Sequence, residues 1–275
     1  MLSKPSAYKH RPKKRFSQNF LVNLNAARRI VDSLDLSPEE TVLEIGAGKG
    51  VLTQFLIEKA KKVWAVELDH HLVQALREKF AANGNLQIVS GDILKIKLTD
   101  YLQPRERIKI VGNLPYQITS PILEWIVNQK EFIKQAVITV QKEVAKRICA
   151  RPGTREWSPI SIFCQVYFKP SLLFTLSPGS FFPTPKVHSA VVRLDVLSEP
   201  LVPETEQRAF FRLVKVIFST RRKTLVRSLS DHFRLPKTLL VHKLSILGLG
   251  AKIRGETLSI AQLLELNSTL KQLSS

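Results

Sequence analysis

Cysteine is scarce in this chain. Two occur in 275 residues, Cys149 and Cys164, far from any metal-ligand spacing. That excludes a disulfide framework and a zinc site, and it points to a reducing cytoplasm. Long apolar runs are missing as well: no stretch reaches the ~18 residues that span a bilayer. The N-terminal segment has no apolar stretch of the signal-peptide kind and is basic and proline-containing instead. No internal repeat or low-complexity tract is present. Acid is also short, with 23 Asp and Glu against 42 Lys and Arg, a formal net charge of +19.

What is there suits a soluble globular protein with a sizeable core, at 44% hydrophobic and 24% charged. The positive excess repels itself and calls for a polyanionic partner. Nucleic acid comes first and an anionic membrane surface second. The basic residues cluster. Lys4, Lys9, Arg11, Lys13, Lys14 and Arg15 fall in an acid-free stretch, and Arg221, Arg222, Lys223 and Arg227 fall in another, "STRRKTLVRSL". A basic tail and a solvated helix face would also account for them. Two separate clusters adding to one excess favour RNA contact.

Strand-like and helix-like segments alternate over the first 200 residues. "TVLEIG" (41–46), "VWAVEL" (63–68), "LQIVSGD" (86–92), "IKIVGN" (108–113) and "QAVITVQ" (135–141) read as strands. Helical patterns at 51–60, 70–80, 120–129 and after 141 separate or follow them. This alternation predicts right-handed βαβ crossovers and a mainly parallel sheet. "SIFCQVYF" (161–168) and "SAVVRLDV" (189–196) are candidates for an antiparallel edge. Beyond "LSEPLVPE" (197–204) the pattern is helical, with Phe210, Phe211, Leu213, Val214, Ile217 and Phe218 in one stripe. The expected division is an α/β domain over 1–199, with a basic arm over 1–20, and a small all-α domain over 200–275.

The chemistry-bearing residues fall at strand ends. Gly46, Gly48 and Gly50 follow the first strand and precede a helix, so the backbone can approach a ligand closely. A dinucleotide loop needs G-x-G-x-x-G, yet Val51 stands where the third glycine belongs. Glu44 precedes the loop. Glu67, 21 residues after Gly46, ends the second strand, where a carboxylate accepts from both hydroxyls of a ribose. Asp92 ends the third strand, placed for an exocyclic adenine amine, with Ile93 against the ring. Together these make a nucleoside site, and the lack of a pyrophosphate loop tilts it from NAD towards S-adenosylmethionine.

The fourth strand ends in Asn113-Leu114-Pro115-Tyr116. An exocyclic amine is a poor nucleophile because its lone pair is delocalised into the ring. The Asn113 amide oxygen and the Leu114 carbonyl can hold its two N–H groups, while Pro115 stiffens the loop and Tyr116 offers a ring to stack on. Taken alone, the tetrapeptide could equally be an Asn-cornered proline turn.

With these residues stand "RFSQNFL" (15–21), "VLEIGAGKGVLT" (42–53), "AVELD" (65–69), "GNLPYQITSPI" (112–122), "VQKEVAKRI" (140–148), "SFFPTPKVHSAVV" (180–192) and "FSTRRKTLVRSL" (218–229). The chain thereby resembles the ribosomal RNA adenine N6,N6-dimethyltransferase family over nearly its whole length. The resemblance implies a Rossmann-like class I S-adenosylmethionine-dependent methyltransferase. It also implies transfer to the N6 amines of two adjacent adenines near the 3′ end of small-subunit rRNA, and a role in late small-subunit biogenesis. It places Asn19, Leu21, Gly46, Gly48, Glu67, Leu68, Asp92, Ile93 and Asn113 around the donor. It puts Phe181 on the target base opposite Tyr116, and Arg221, Arg222 and Lys223 on rRNA phosphates, to which the arm's Lys13, Lys14 and Arg15 add. The implied protein is a cytoplasmic monomer that works on rRNA or the small subunit, with no metal and no membrane. Ser17, Trp157-Ser158 and Arg227 depart from the usual family residues. Three alternatives remain: a related large-subunit rRNA dimethyltransferase, a non-catalytic assembly or transcription factor, and, remotely, an NAD oxidoreductase.

Overall fold

The structure is a computed structural model. It describes residues 19–274 apart from 104, 221 and 222. The arm residues Lys13, Lys14, Arg15 and Ser17, and the pair Arg221 and Arg222, lie outside the described residues.

In chain order the strands are β1 (Phe20–Leu21), β2 (Thr41–Ile45), β3 (Lys62–Glu67), β4 (Leu86–Ser90), β5 (Ile108–Asn113), β6 (Ile133–Gln141), β7 (Phe168–Leu176), β8 (Phe181–Phe182) and β9 (Ser189–Val196). The helices are α1 (Leu24–Asp32), α2 (Thr53–Leu56), α3 (His70–Lys79), α4 (Thr119–Asn128), α5 (Lys142–Ile148), α6 (Pro159–Tyr167), α7 (Glu204–Ser219), α8 (Leu225–Phe233), α9 (Lys237–Ile246) and α10 (Ile260–Ser274). Contacts divide the chain into two compact units. The first runs to Ala145 and adds Ser171–Val196; the second is Lys146–Pro170 with Leu197 onward.

The first unit is built on a sheet of order β4-β3-β2-β5-β6-β9-β7. The pairs β2–β3, β3–β4, β2–β5 and β5–β6 are parallel, and β6–β9 is antiparallel. Every residue of β2 is buried, as are all of β3 but Lys62 and six of the nine residues of β6. Helices covering both faces of a parallel sheet explain why these strands read as continuous apolar runs. One face packs Ala27, Ile30 and Val31 of α1 against Val42, Val111, Val137 and Val191. The other packs Leu76 and Phe80 against Ala65. Asn23 and Asp69 start α1 and α3 by accepting from the backbone N–H of Ala26 and His71. Strand order reverses between β2 and β5, so their carboxyl ends flank the crevice where open α/β sheets bind ligands. A separate two-stranded pairing joins β1 to β8, with Leu21 opposite Phe181 and Phe20 opposite Phe182.

Two expectations need correction. "SIFCQVYF" is not a strand: Pro159–Tyr167 is helix α6, and β7 begins only at Phe168. Pro159 suits a first helical position. Ser158 N–H donates to Ser161 Oγ at that start, at 3.0 Å. Ser161, Ile162, Cys164, Val166 and Tyr167 are all buried. A helix that is apolar on most sides carries no helical period to read. Residues 146–170, read as part of the α/β domain, accordingly belong to the second compact unit.

That unit is helical. Phe163, Tyr167, Phe210 and Phe211 form a ring cluster between α6 and α7, and Tyr167 donates its hydroxyl proton to Gln207 Oε1 at 2.8 Å. Trp157 is fully buried and donates from Nε1 to the Leu258 carbonyl. Lys223 pairs with Asp231 at 2.8 Å. Cys149 and Cys164 are free thiols, and burial pushes Cys149 up to about 11. No described helix is long and apolar enough to cross a membrane.

Candidate active site

The carboxyl ends of β2, β3, β4 and β5 meet around a pocket of about 250 Å³. Gly46 and Gly48 line it from the loop after β2, Glu67 and Leu68 from β3, Asp92 and Ile93 from β4, and Asn113 to Tyr116 from β5. Most of the predicted site residues are thus brought together in one place.

The glycine loop turns through the left-handed region, with φ of +72° at Gly46, +58° at Gly48 and +73° at Gly50. A Cβ on Gly48 would sit 3.2 Å from the Phe20 ring, so the loop and β1 pack closely. Glu67 is the hinge of the arrangement. It is 6% exposed, its Oε2 accepts from Gly48 N–H at 2.8 Å, and its Oε1 accepts from Leu68 and Asp69 N–H at 3.0 and 2.9 Å. Burial nonetheless raises its pKa, against those three N–H groups. The carboxylate thus ties loop to strand end; Oε1 already accepts two bonds and Oε2 one, so the acceptor capacity that is left lies on Oε2.

Glu44 lies beneath the loop, 1% exposed, and its Oε2 accepts from Thr53 Oγ at 2.6 Å. Burial pushes its pKa up to about 8 despite that hydroxyl, and the charge of Glu67 adds to the rise. Asp92 Oδ1 accepts from Leu94 N–H at 3.0 Å, which opens a short 3-10 turn and sets Ile93 at the pocket wall.

On β5, Asn113 Nδ2 donates to the Asn19 carbonyl at 2.8 Å. A carbonyl only accepts, so the amide oxygen must point the other way. Leu114 N–H donates to the Thr139 carbonyl at 3.1 Å, and the Leu114 side chain is 2% exposed. Tyr116 shares a 2.7 Å hydrogen bond with Ser189 Oγ. Asn113, Leu114 and the Tyr116 ring are therefore each held by a partner distant in sequence.

Two residues expected at the site do not line the pocket. Leu21 is 4% exposed and Phe181 is 2% exposed, and both pack in the core with Val111, Val137 and Val191. Side chains alternate along a strand, and β8 turns Phe181 inward while Phe182 faces out at 55% exposure. Among the contributors that were missed are Phe20, which lines the pocket, Ser189, which holds Tyr116, and Thr53, the partner of Glu44. The "FSQNFL" and "KVHSAVV" segments were the available signal for the first two. Among the described residues, no group of three or more His, Cys, Asp or Glu could hold a metal ion.

A close backbone approach at Gly46 and Gly48, a buried acceptor at Glu67 and an acid above Ile93 fit a nucleoside with a ribose diol and an exocyclic amine. They offer no cradle for a pyrophosphate. Beside this set, Asn113, Leu114 and Tyr116 line the same pocket.

The sequence model of ribosomal RNA adenine dimethylases matches residues 9–272. The chain belongs to the ribosomal RNA adenine dimethylase family. One relative is a ribosomal RNA small subunit methyltransferase A from Geobacter metallireducens, 40% identical over 266 residues, 96% of this chain and 97% of that one. Another of the same name, from Clostridium botulinum, is 39% identical over 255 residues, covering 93% and 92% of the two chains. Among solved structures, the 23S rRNA methyltransferase ErmE superposes with a TM-score of 0.74 at 29% identity, over 92% of this dimethylase-family chain and 100% of that one. A dimethyladenosine transferase from Plasmodium falciparum gives a TM-score of 0.78 at 24% identity, over 93% and 98%, a likeness of fold alone. The fold of this family member is the class I methyltransferase arrangement, followed by a helical C-terminal region.

Proposed function

We propose that this protein methylates adenine N6 in small-subunit rRNA, using S-adenosylmethionine and making N6,N6-dimethyladenine at two adjacent positions near the 3′ end. The observation that carries this reading is the Asn113–Leu114–Tyr116 set, fixed beside a nucleoside-shaped pocket. The small-subunit names of the relatives support this choice over a large-subunit target.

When bound, S-adenosylmethionine supplies an electrophilic methyl group. Glu67 would accept from a ribose hydroxyl through Oε2, Asp92 would accept from the donor's adenine amine, and Ile93 would pack against its ring. Gly46 and Gly48 leave room for the rest. On the substrate side, Tyr116 stacks on the target adenine. Asn113 Oδ1 and the Leu114 carbonyl accept the two N6 hydrogens and favour the more pyramidal nitrogen of the transition state. Acceptors already held in place stabilise developing positive charge without reorganising. No acidic base is needed: the methylated nitrogen is cationic and gives its proton to water after transfer, and in the second round the one remaining N–H donates to one of the two acceptors. Phe181 packs in the core cluster with Val111, two residues before Asn113, and closes the slot only if its ring leaves the core when the base enters.

The helical unit carries the remaining work, with Lys223, Arg221 and Arg222 on rRNA phosphates and the basic arm adding to them. We place the protein in the cytoplasm as a monomer acting on rRNA or the small subunit, with a part in late subunit biogenesis. The deciding experiment is mass spectrometry of small-subunit rRNA from cells with and without the protein. Two dimethyladenines lost on deletion and restored by the intact gene are expected. Their persistence without the protein would overturn the reading.

A further inference from the structure

The segment 182–188, "FPTPKVH", joins β8 to β9 and is exposed except for the partly buried Pro185. Phe182 is 55% exposed and Val187 43%, with Lys186 and His188 among them. The loop is tied at both ends to the pocket. At its start, Phe182 is the cross-strand partner of pocket-lining Phe20, and Val22 N–H donates to the Ser180 carbonyl at 2.9 Å. At its end, His188 accepts from Lys142 N–H at 2.9 Å, and Ser189 holds the Tyr116 hydroxyl. Pro183 and Pro185 limit the entropy lost when a ligand orders the loop. No acidic residue occurs between Glu156 and Asp195.

We propose that this loop docks the single-stranded RNA next to the target base, with Phe182 stacking on a neighbouring base and Lys186 neutralising a phosphate. The argument rests on the rRNA reading above. Exposed aromatic rings serve as platforms for unpaired bases, whose faces stack on them, and Phe182 is such a ring in the same exposed loop as Lys186. Charge complementarity favours RNA over an apolar protein partner, because the chain carries a net charge of +19 and the stretch that holds Phe182 has no acid from 157 to 194. Phe182 turns away from the core, so changing it leaves Phe181 and the sheet packing in place.

The test uses the full chain and a short RNA carrying the target adenine with 2-aminopurine at its neighbour. F182A and F182L should weaken RNA binding about ten-fold and abolish the stacking quench of 2-aminopurine, whereas F182W should keep both. K186Q should lower the log–log salt slope by about 0.7. Calorimetric binding of S-adenosylhomocysteine should be unchanged in all four, which reports an intact fold. Wild-type affinity and quench in F182A would overturn the proposal. Wild-type protein that transfers no methyl to small-subunit rRNA, while its RNA binding still depends on Phe182, would instead overturn the proposed function alone.

Discussion

Asn113 donates its amide hydrogen to the backbone carbonyl of Asn19 at 2.8 Å, across 94 positions of sequence. The bond leaves the amide oxygen free of Asn19, and it places the chain just before β1 beside the carboxyl end of β5, with both residues lining the pocket. The N-terminal segment thereby sets the direction of the acceptor.

The first prediction concerns that acceptor. Asn113→Ala should lower kcat for methyl transfer at least 100-fold, the scale of losing one pre-aimed polar group. Donor affinity should change far less. Single-turnover transfer and calorimetric binding of S-adenosylhomocysteine separate the two. Full activity in the variant would sink the mechanism.

Glu67 has a different signature. Gln at this position would turn an NH₂ towards either Gly48 N–H or the Leu68 and Asp69 N–H groups, setting donor against donor. Glu67→Gln should raise the donor Kd ten-fold or more and also lower Tm. A donor Kd within two-fold of wild type would remove Glu67 from the ribose site.

Glu44 gives a pH prediction. Its pKa rises from an ordinary 4.5 to about 8 on burial in the folded protein. Between these values the folded state holds a proton that the unfolded chain has released. Stability therefore falls as pH rises through that window. Glu44→Gln keeps an oxygen for Thr53 and should remove this part of the slope. The variant should gain on wild type by an amount of order 1 kcal/mol between pH 5 and 8. Glu67, raised in the same direction, leaves some slope behind. Parallel stability curves for the two proteins across that range would refute this.

Tyr116 separates ring from hydroxyl. Tyr116→Phe loses the 2.7 Å bond to Ser189 but keeps the stacking face. It should reduce kcat/KM several-fold, and Ser189→Ala should match it. Tyr116→Ala should cost about ten-fold more, because base stacking is worth about 1–3 kcal/mol. Equal losses in the Phe and Ala variants would show that the hydroxyl, not the ring, carries the role.

Much of this site is legible in the sequence because its parts sit at successive strand ends. Gly46, Glu67, Asp92 and Asn113 each follow an apolar run, and a parallel sheet gathers such ends on one edge. Partners made by distant chain crossings are not legible: Ser189 reaches Tyr116 across 73 positions. Phe181, expected on the target base, is packed in the core while Phe182 beside it faces solvent, a phase of strand alternation that the sequence does not set by itself. Helix α6 misled for another reason, since burial on most of its sides erases the period. Glu44 was visible as a residue, but only its burial makes it a titrating group.

The last prediction turns on Gly112. In β5 it lies opposite Ile45 of β2, and a Cβ there would fall 2.9 Å from the Ile45 carbonyl oxygen and 2.9 Å from Leu114 Cδ2. The first contact is backbone within the sheet ladder and cannot yield cheaply. The strand or Leu114 must shift instead. Overpacking of this kind costs about 1–3 kcal/mol, so Gly112→Ala should lower Tm by several degrees. Leu114 carries the second acceptor carbonyl, and a displacement near 1 Å can cost about 100-fold in rate. The kcat should therefore fall further than donor affinity. Gly84→Ala is the control, because nothing lies within 4 Å of a Cβ there, and it should be nearly silent. A Gly112→Ala enzyme with unchanged kcat would mean that the Leu114 carbonyl does not hold the reacting amine.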